Sequence, residues 1–256
     1  MATQLELSIV IPAYNESGRI LPTLEQAREY LATAGEWGGR VEVLVVCDGC
    51  TDDTEQVVRA WGKLPNLRVI AYRKNQGKGY AVRTGVLASQ GRVVVFTDAD
   101  GATPFREISL LAAPLLAEDC EVVIGSRRVP GARVTGTQPW RRRVLGRFFG
   151  WATRNVLGVR FADTQCGFKL FRGEIARSLF ESVRCPGFGF DLEVLVLAQE
   201  RGLHIVEAGV EWHDQAESKV SPLRDGMRML RTLWSLRRQS RRRVALAAAK
   251  APALSR

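Results

Sequence analysis

Arg92 to Pro104 reads RVVVFTDADGATP, and the reading of this stretch decides the fold. Three valines and a phenylalanine follow one another with no polar alternation, which is the pattern of a strand buried on both faces. The run gives out at Thr97 into two carboxylates, Asp98 and Asp100, then into Gly101, and Pro104 stands at the first turn of a new helix. A strand covered on both sides belongs in a mostly parallel sheet flanked by helices, so the sequence around it should alternate the two element types.

Working outward, it does alternate. Leu7 to Ala13 is a continuous apolar run, Ser17 to Ala34 reads as a helix opened by a Ser cap, and Val41 to Cys47 is a second buried strand. Thr51 to Trp61 reads as helix, Leu67 to Ala71 as strand, Gly77 to Ser89 as helix, Phe105 to Ala117 as helix and Val122 to Gly125 as strand. With 256 residues and 46% hydrophobic content, the chain has enough apolar mass for one sizeable core. The expected architecture is an α/β, doubly wound, mostly parallel sheet over 1–220, followed by a basic amphipathic helix and tail over 221–256.

In such a sheet the ligand crevice lies outside the carboxyl ends of the strands. Those ends carry Pro12-Ala13-Tyr14-Asn15-Glu16, Asp48-Gly49, Arg73-Lys74-Asn75, Asp98-Ala99-Asp100 and Ser126-Arg127-Arg128. Carboxylates and cations on one rim suit a diphosphate together with a divalent cation. Two carboxylates leaving a strand on alternate residues repel unless a cation binds them, and hard oxygen donors select Mg²⁺ or Mn²⁺. The alternative is that Asp100 or Thr103 merely caps the following helix.

The net charge of +10 is unevenly spread. Arg127 to Arg160 holds nine Arg and no acid, and Lys219 to Arg256 holds eleven basic residues against Asp225 alone; the rest of the chain has 17 basic and 26 acidic residues. Cationic surface concentrated in the second half calls for an anionic partner: phosphate, nucleic acid or an anionic membrane. Five scattered cysteines suit a reducing compartment. Cys47-Asp48-Gly49-Cys50 spells C-x-x-C but lacks the second ligand pair of a zinc site and the helix-opening position of a redox site. Met1 to Glu6 passes straight into a strand, and no apolar run reaches the ~20 residues of a membrane span, so a cytoplasmic location is expected.

Six motifs now stand in order: SIVIPAYNE (Ser8 to Glu16), CDGCTDDT (Cys47 to Thr54), NQGKGYAVRTG (Asn75 to Gly85), FTDADGATP (Phe96 to Pro104), IGSRRVPG (Ile124 to Gly131) and DTQCGFKLF (Asp163 to Phe171). Together they resemble the family 2 inverting glycosyltransferases of GT-A fold, in particular the dolichyl-phosphate mannose and glucose synthases, over nearly all of Leu5 to Val220. DADGATP, DTQCGFKLF and Ser218-Lys219-Val220 resemble the dolichyl-phosphate β-glucosyltransferase branch. Mannose synthases continue the acidic pair with Leu-Gln, where this chain has Gly101-Ala102, which favours UDP-glucose over GDP-mannose. Cys50 and Asp53 depart from the DDGSTDGT that many relatives write there.

The resemblance implies roles. Pro12, Ala13, Tyr14 and Glu16 match positions that hold the nucleoside, Asp48 matches the carboxylate that contacts the base, and Asp98, Ala99 and Asp100 match the diphosphate and metal site. Lys78, between two glycines at a helix start, stands where it would touch phosphate; the plain alternative is a lysine in solvent. Arg127 matches the contact to a lipid phosphate, with Arg133 and Lys219 as companions and Gln165 and Lys169 lining the acceptor side. Asp191 opens an apolar helix, and in relatives with hydroxyl acceptors an acid near it acts as general base; an N-cap is the alternative. The implied reaction is metal-dependent inverting transfer of a hexose from a nucleotide sugar to a polyprenyl phosphate.

From Ser221 the chain reads SPLRDGMRMLRTLWSLRRQSRRR, with Leu223, Met227, Leu230, Leu233, Trp234 and Leu236 recurring at helical spacing among arginines. Such a helix can lie in a membrane interface with its apolar face in the acyl boundary, or pack that face on the core; Trp140 to Leu157 is a second candidate of the same kind. Gln239 to Arg256 is expected to fray. A nucleic-acid-binding protein would explain the charge, but no recognised module is present and no nucleic acid is expected as partner. A dinucleotide-dependent oxidoreductase is disfavoured because Leu7 to Ala13 leads into Pro-Ala-Tyr-Asn-Glu rather than G-x-G-x-x-G.

Overall fold

The computed structural model describes residues 5–64, 66–136, 150, 152–214 and 231–243. Strands β1 (Leu7–Ala13), β2 (Val41–Asp48), β3 (Leu67–Tyr72), β4 (Val93–Phe96), β5 (Val122–Ser126), β7 (Lys169–Arg172) and β8 (Ile205–Gly209) form one sheet in the order β3-β2-β1-β4-β7-β5-β8. A two-stranded ribbon pairs β6 (Arg133–Thr135) with β9 (Glu211–His213). All neighbours in the main sheet run parallel except β7, which is antiparallel to both β4 and β5.

The uniform apolar runs are explained by the two faces they serve. Leu7, Ile9 and Ile11 of β1 face one core with Ile20, Leu24 and Ala27 of α1 (Ile20–Thr33), Val58 of α2 (Thr54–Trp61) and Ile108, Leu111 and Leu115 of α4 (Glu107–Leu116). Val10, one register step away, faces the other core with Val82 and Val86 of α3 (Lys78–Ala88), Leu179 and Phe180 of α6 (Gly173–Ser182) and Phe190 and Leu195 of α7 (Phe190–Glu200). β3 is the edge strand, so its side chains are only partly covered. Residues 152–157 are helical (α5), and a helix over 231–243 (α8) buries Leu233 and Leu236 in the second core.

Several expectations are corrected. Ser17 does not cap α1: the helix begins at Ile20, and the Ser17 amide donates to Asp52 Oδ2 at 3.2 Å. α2 likewise begins at Thr54, because residues 51–53 tie the first two strand-end loops together. Thr51 meets Asn15, the Glu16 amide donates to Thr54 Oγ1 at 2.8 Å, and Asp52 accepts from Thr54 N at 3.0 Å. These donors hold the Asp52 carboxyl at about 2 against the opposing pull of burial. The DTQCGFKLF stretch supplies a strand, β7, that the apolar-run rule missed because Lys169 and Arg172 interrupt it. Residues 239–243 are helical rather than frayed, with Arg243 joined to Glu200 at 2.6 and 3.1 Å. The expected helix over Trp140 to Leu157 is described only at its end, and Leu223, Met227 and Leu230 lie outside the described residues. All five cysteines are free thiols, and burial together with Cys50 pushes Cys47 up to about 12, so the C-x-x-C presents a protonated thiol at neutral pH.

The carboxyl ends of β1 to β5 share one rim, and a buried clip fixes its far side. Asp163, 2% exposed, accepts from Arg127 N, Nε and Nη2 at 3.1, 2.6 and 2.9 Å. Glu207 of β8 in turn accepts from the amides of Ala162 and Asp163 at 2.9 and 2.8 Å. Burial alone would raise the Asp163 carboxyl, but the Arg127 guanidinium holds it down to about 2. A pKa depressed on folding means that the stabilisation is complete above the unfolded value of about 4 and disappears as pH falls through about 2. Asp163→Asn is therefore expected to unfold about 2 kcal/mol more easily than wild type at pH 7, with the two denaturation curves converging between about pH 4 and 2. Equal denaturant midpoints at neutral pH would contradict this.

Candidate active site

β4 delivers the acidic pair to the rim. Thr97 N still bonds Val10 O at 3.0 Å, so the strand is fixed up to the residue before Asp98. The next turn is set by its own chemistry: Asp100 Oδ1 accepts from Ala102 N at 3.1 Å, Gly101 takes a left-handed φ of +64°, and the Ala99 carbonyl accepts from Thr23 Oγ1 at 2.8 Å. α4 begins only at Glu107, so Asp100 closes this turn and does not cap the helix. Asp98 lies against Gly167 of the DTQCGFK stretch, where a Cβ would stand 2.2 Å from its Oδ2. The glycine in that motif is thus required by the close approach of backbone to carboxylate.

Lys78 reaches across from the start of α3, its Nζ 2.5 Å from Asp98 Oδ1. Burial works against its charge, but the carboxylates of Asp98, Asp191 and Asp100 outweigh it and raise its pKa above the ordinary lysine value. Lys78 is therefore part of the site rather than a lysine in solvent. Its position depends on the loop before α7. The Tyr80 amide donates to the Pro186 carbonyl at 3.2 Å, and a Cβ on Gly77 or Gly79 would meet the Pro186 or Cys185 carbonyl at 2.4 Å. Buried Glu193 holds that loop, accepting from the amides of Arg184 and Cys185 at 3.0 and 2.7 Å.

Below the rim lies a second ion pair. Lys169 Nζ is 2.5 Å from Asp191 Oδ1 and 2.6 Å from the Cys166 carbonyl, with Lys169 fully buried and Asp191 only 4% exposed. Two expectations change here. Lys169 does not line an acceptor surface, because the apolar cover over β7 turns its ammonium inward. Asp191 is neither an N-cap, since α7 begins at Phe190 after Gly189, nor an open base, since Lys169 occupies its oxygen. Burial raises the Asp191 carboxyl, with Lys169 and Lys78 pulling the other way.

At the end of β1, Pro12 and Ala13 lie within the sheet, Tyr14 is 41% exposed at the rim, and Glu16 pairs with Arg19 at 2.7 Å. Asp48 turns inward, accepting from Gln76 N and Gly77 N, each at 2.8 Å, and from Asn75 Nδ2 at 3.0 Å. Its carboxylate shapes the loop that leads to Lys78, accepting three of that loop's donors.

Across the rim, Arg127 stacks over the Trp212 ring at 5.2 Å while Asp163 grips one edge of its fork. The pair with Asp163 raises the guanidinium pKa still further, so its charge is permanent. Arg133 is exposed on β6, and the Gln165 amide lies 3.4 Å from Asp163 Oδ1. The ribbon joins the metal-side turn through His213 N, which donates to the Ala102 carbonyl at 2.8 Å. Lys219 lies outside the described residues. Sequence reasoning missed Asp163, Trp212 and Glu193 as positioning groups; Asp163 heads a motif already singled out, whereas the other two carry no local signal.

The donor set fits a divalent cation. Asp98 and Asp100 are hard oxygen ligands, and burial with the neighbouring Asp98 charge pushes the Asp100 carboxyl up, so a cation between them would relieve repulsion. Among the described residues no group of three or more potential ligands gathers, so the remaining coordination positions would fall to substrate oxygens and water.

Comparison with known proteins agrees. The profile of glycosyl transferase family 2 matches residues 8–180. The dolichyl-phosphate beta-glucosyltransferase of Drosophila melanogaster is 36% identical over 242 residues, spanning 91% of this chain and 74% of that one. The Saccharomyces cerevisiae protein of the same name is 34% identical over 255 residues, spanning 91% and 75%. The glucosyl-3-phosphoglycerate synthase of Mycobacterium tuberculosis, solved with Mn²⁺, uridine diphosphate and glucosyl-3-phosphoglycerate, superposes with a TM-score of 0.67 at 25% identity over 92% of this chain and 80% of that chain. The rim, its acidic pair and these likenesses together make the chain a glycosyltransferase, a member of glycosyl transferase family 2 with the GT-A fold.

Proposed function

We propose that the protein transfers glucose from UDP-glucose to a polyprenyl phosphate of the dolichyl type, with inversion, at the cytoplasmic surface of a membrane. The observation that carries the choice of acceptor is the state of Asp191. It is buried and bound to the Lys169 ammonium, so the site offers no open general base there, and an acceptor that is already anionic at neutral pH needs none. The names of the fly and yeast relatives support the same acceptor and sugar, and the mycobacterial synthase crystallised with Mn²⁺ and UDP supports the same nucleotide.

In this reading the acceptor's phosphate oxygen attacks the anomeric carbon, forming the new C–O bond as the bond to the diphosphate breaks and UDP leaves with the bonding electrons. An α-linked donor then yields a β-linked product. Asp98 and Asp100 would hold Mg²⁺ or Mn²⁺, which when bound would supply Lewis-acid stabilisation to the leaving diphosphate. Lys78 adds a fixed positive charge beside them. Arg127 keeps Nη1 clear of its bond to Asp163, and its charged fork orients the acceptor phosphate. Tyr14 stands at the rim where the nucleoside enters, and Lys169 and Asp191 act as positioning residues that keep Lys78 and Asp98 in register.

Labelled lipid-linked sugar is expected from UDP-glucose with polyprenyl phosphate and Mn²⁺, and in far smaller amount from GDP-mannose, with the proton coupling at the anomeric carbon reporting the β configuration. No product from UDP-glucose, or an α product, would refute the assignment. Asp98→Asn and Asp100→Asn are each expected to lower kcat/KM by about a hundredfold or more while leaving the circular dichroism spectrum unchanged. Transfer at the wild-type rate in either variant would remove the metal site from the mechanism.

A further inference from the structure

Of the two courses open to its amphipathic face, the helix over 231–243 takes packing on the core. Leu233 and Leu236 are buried against the second core, and Arg243 is pinned to Glu200, so the two leucines of this helix face the protein. What faces outward is Trp234, 63% exposed, with Arg238 and Arg241 one and two turns further along the same face and Arg237 and Arg242 beside them. The guanidinium of Arg237 lies 5.8 Å from the Trp234 ring centre. Among the described residues no carboxylate pairs with Arg238, Arg241 or Arg242, although the chain has many acids elsewhere.

The protein-facing side of the same helix packs next to the active site. A Cβ on Gly189 would meet Thr232 Cγ2 at 2.5 Å, so α8 packs directly on the loop before α7. The residue before Gly189 is Phe188, 42% exposed, and Lys78 Nζ stands 5.9 Å from its ring centre. The helix that presents Trp234 outward is therefore seated, through Thr232 on its opposite side, on the loop that carries Phe188 beside Lys78 and Asp98.

We infer that the outward face of α8 is the surface by which the protein seats itself on an anionic lipid bilayer. Its arginines bind headgroup phosphates, Trp234 enters the interfacial layer, and Phe188 lines the path by which a prenyl chain reaches the site. An exposed indole among arginines with no carboxylate partner among the described residues fits a surface that is anionic and apolar at one depth, which a bilayer interface provides. The inference rests on the lipid-phosphate acceptor proposed above and adds the face that meets the lipid.

The test is co-sedimentation of the full chain with phosphatidylcholine vesicles, with and without phosphatidylglycerol, in low and high salt. Wild type should bind the anionic vesicles at least about tenfold more tightly than the neutral ones, with the difference collapsing in high salt. A Trp234→Ala, Arg238→Glu, Arg241→Glu variant should lose most of that preference, while its transfer to a water-soluble short-chain prenyl phosphate stays at the wild-type rate. Vesicle binding by the variant equal to wild type, or no preference of wild type for anionic vesicles, would overturn the inference. So would single-stranded RNA binding far more tightly than vesicles, through the same residues. If vesicle binding behaves as stated but no prenyl phosphate accepts glucose, the surface stands and the proposed reaction falls.

Discussion

The buried contact between Lys169 and Asp191 is the constraint on which the rest of the site depends. Removing two opposite charges from water is costly, and such a pair persists only where geometry and further hydrogen bonds compensate. Here the Cys166 carbonyl takes a second ammonium proton, and the Phe96 ring stands 5.5 Å from the same nitrogen at the end of β4. The pair therefore ties together β7, α7 and the strand that delivers Asp98. Because Asp191 also acts on Lys78, the charges alternate from Lys169 through Asp191 and Lys78 to Asp98, from the core out to the rim. Removing either buried partner would leave the other uncompensated and unsettle every link above it.

The same logic of fixed charge governs the far side of the crevice. Asp163 locks one edge of Arg127 and Trp212 supports its plane, so the guanidinium is oriented before any substrate arrives. Pre-set charges of this kind suit phosphoryl groups, and the proposed reaction brings one to each side of the crevice, a nucleotide diphosphate towards Asp98 and Asp100 and an acceptor phosphate towards Arg127. The β6–β9 ribbon connects the two through the bond from His213 to Ala102, which ties the turn after β4 to the side of the crevice that carries Arg127.

Much of this was legible in the sequence, and the exceptions have physical reasons. Uniform apolar runs reveal parallel strands because burial on both faces leaves no room for polar alternation, so β1, β2, β4 and β5 were found within a residue or two. β7 was not, since its Lys169 pairs with an acid 22 positions away and nothing local announces that. The part Asp48 plays in shaping the loop before Lys78 is not legible locally, because its donors come from residues 75–77, far along the chain. The arginines and leucines of α8 were read correctly as amphipathic, but periodicity identifies a stripe without saying what covers it. Here the leucines face the protein and the arginines with Trp234 face outward.

That the acidic pair after β4 is a cation-dependent diphosphate site is tested most directly by calorimetric titration of UDP into the wild-type chain, with Mn²⁺ present and with the ion chelated. Affinity at least about tenfold weaker without the ion is predicted, with that dependence abolished when Asp98 and Asp100 are both changed to Asn. Equal UDP affinity with and without Mn²⁺, or a dependence that survives in the double variant, would contradict the account.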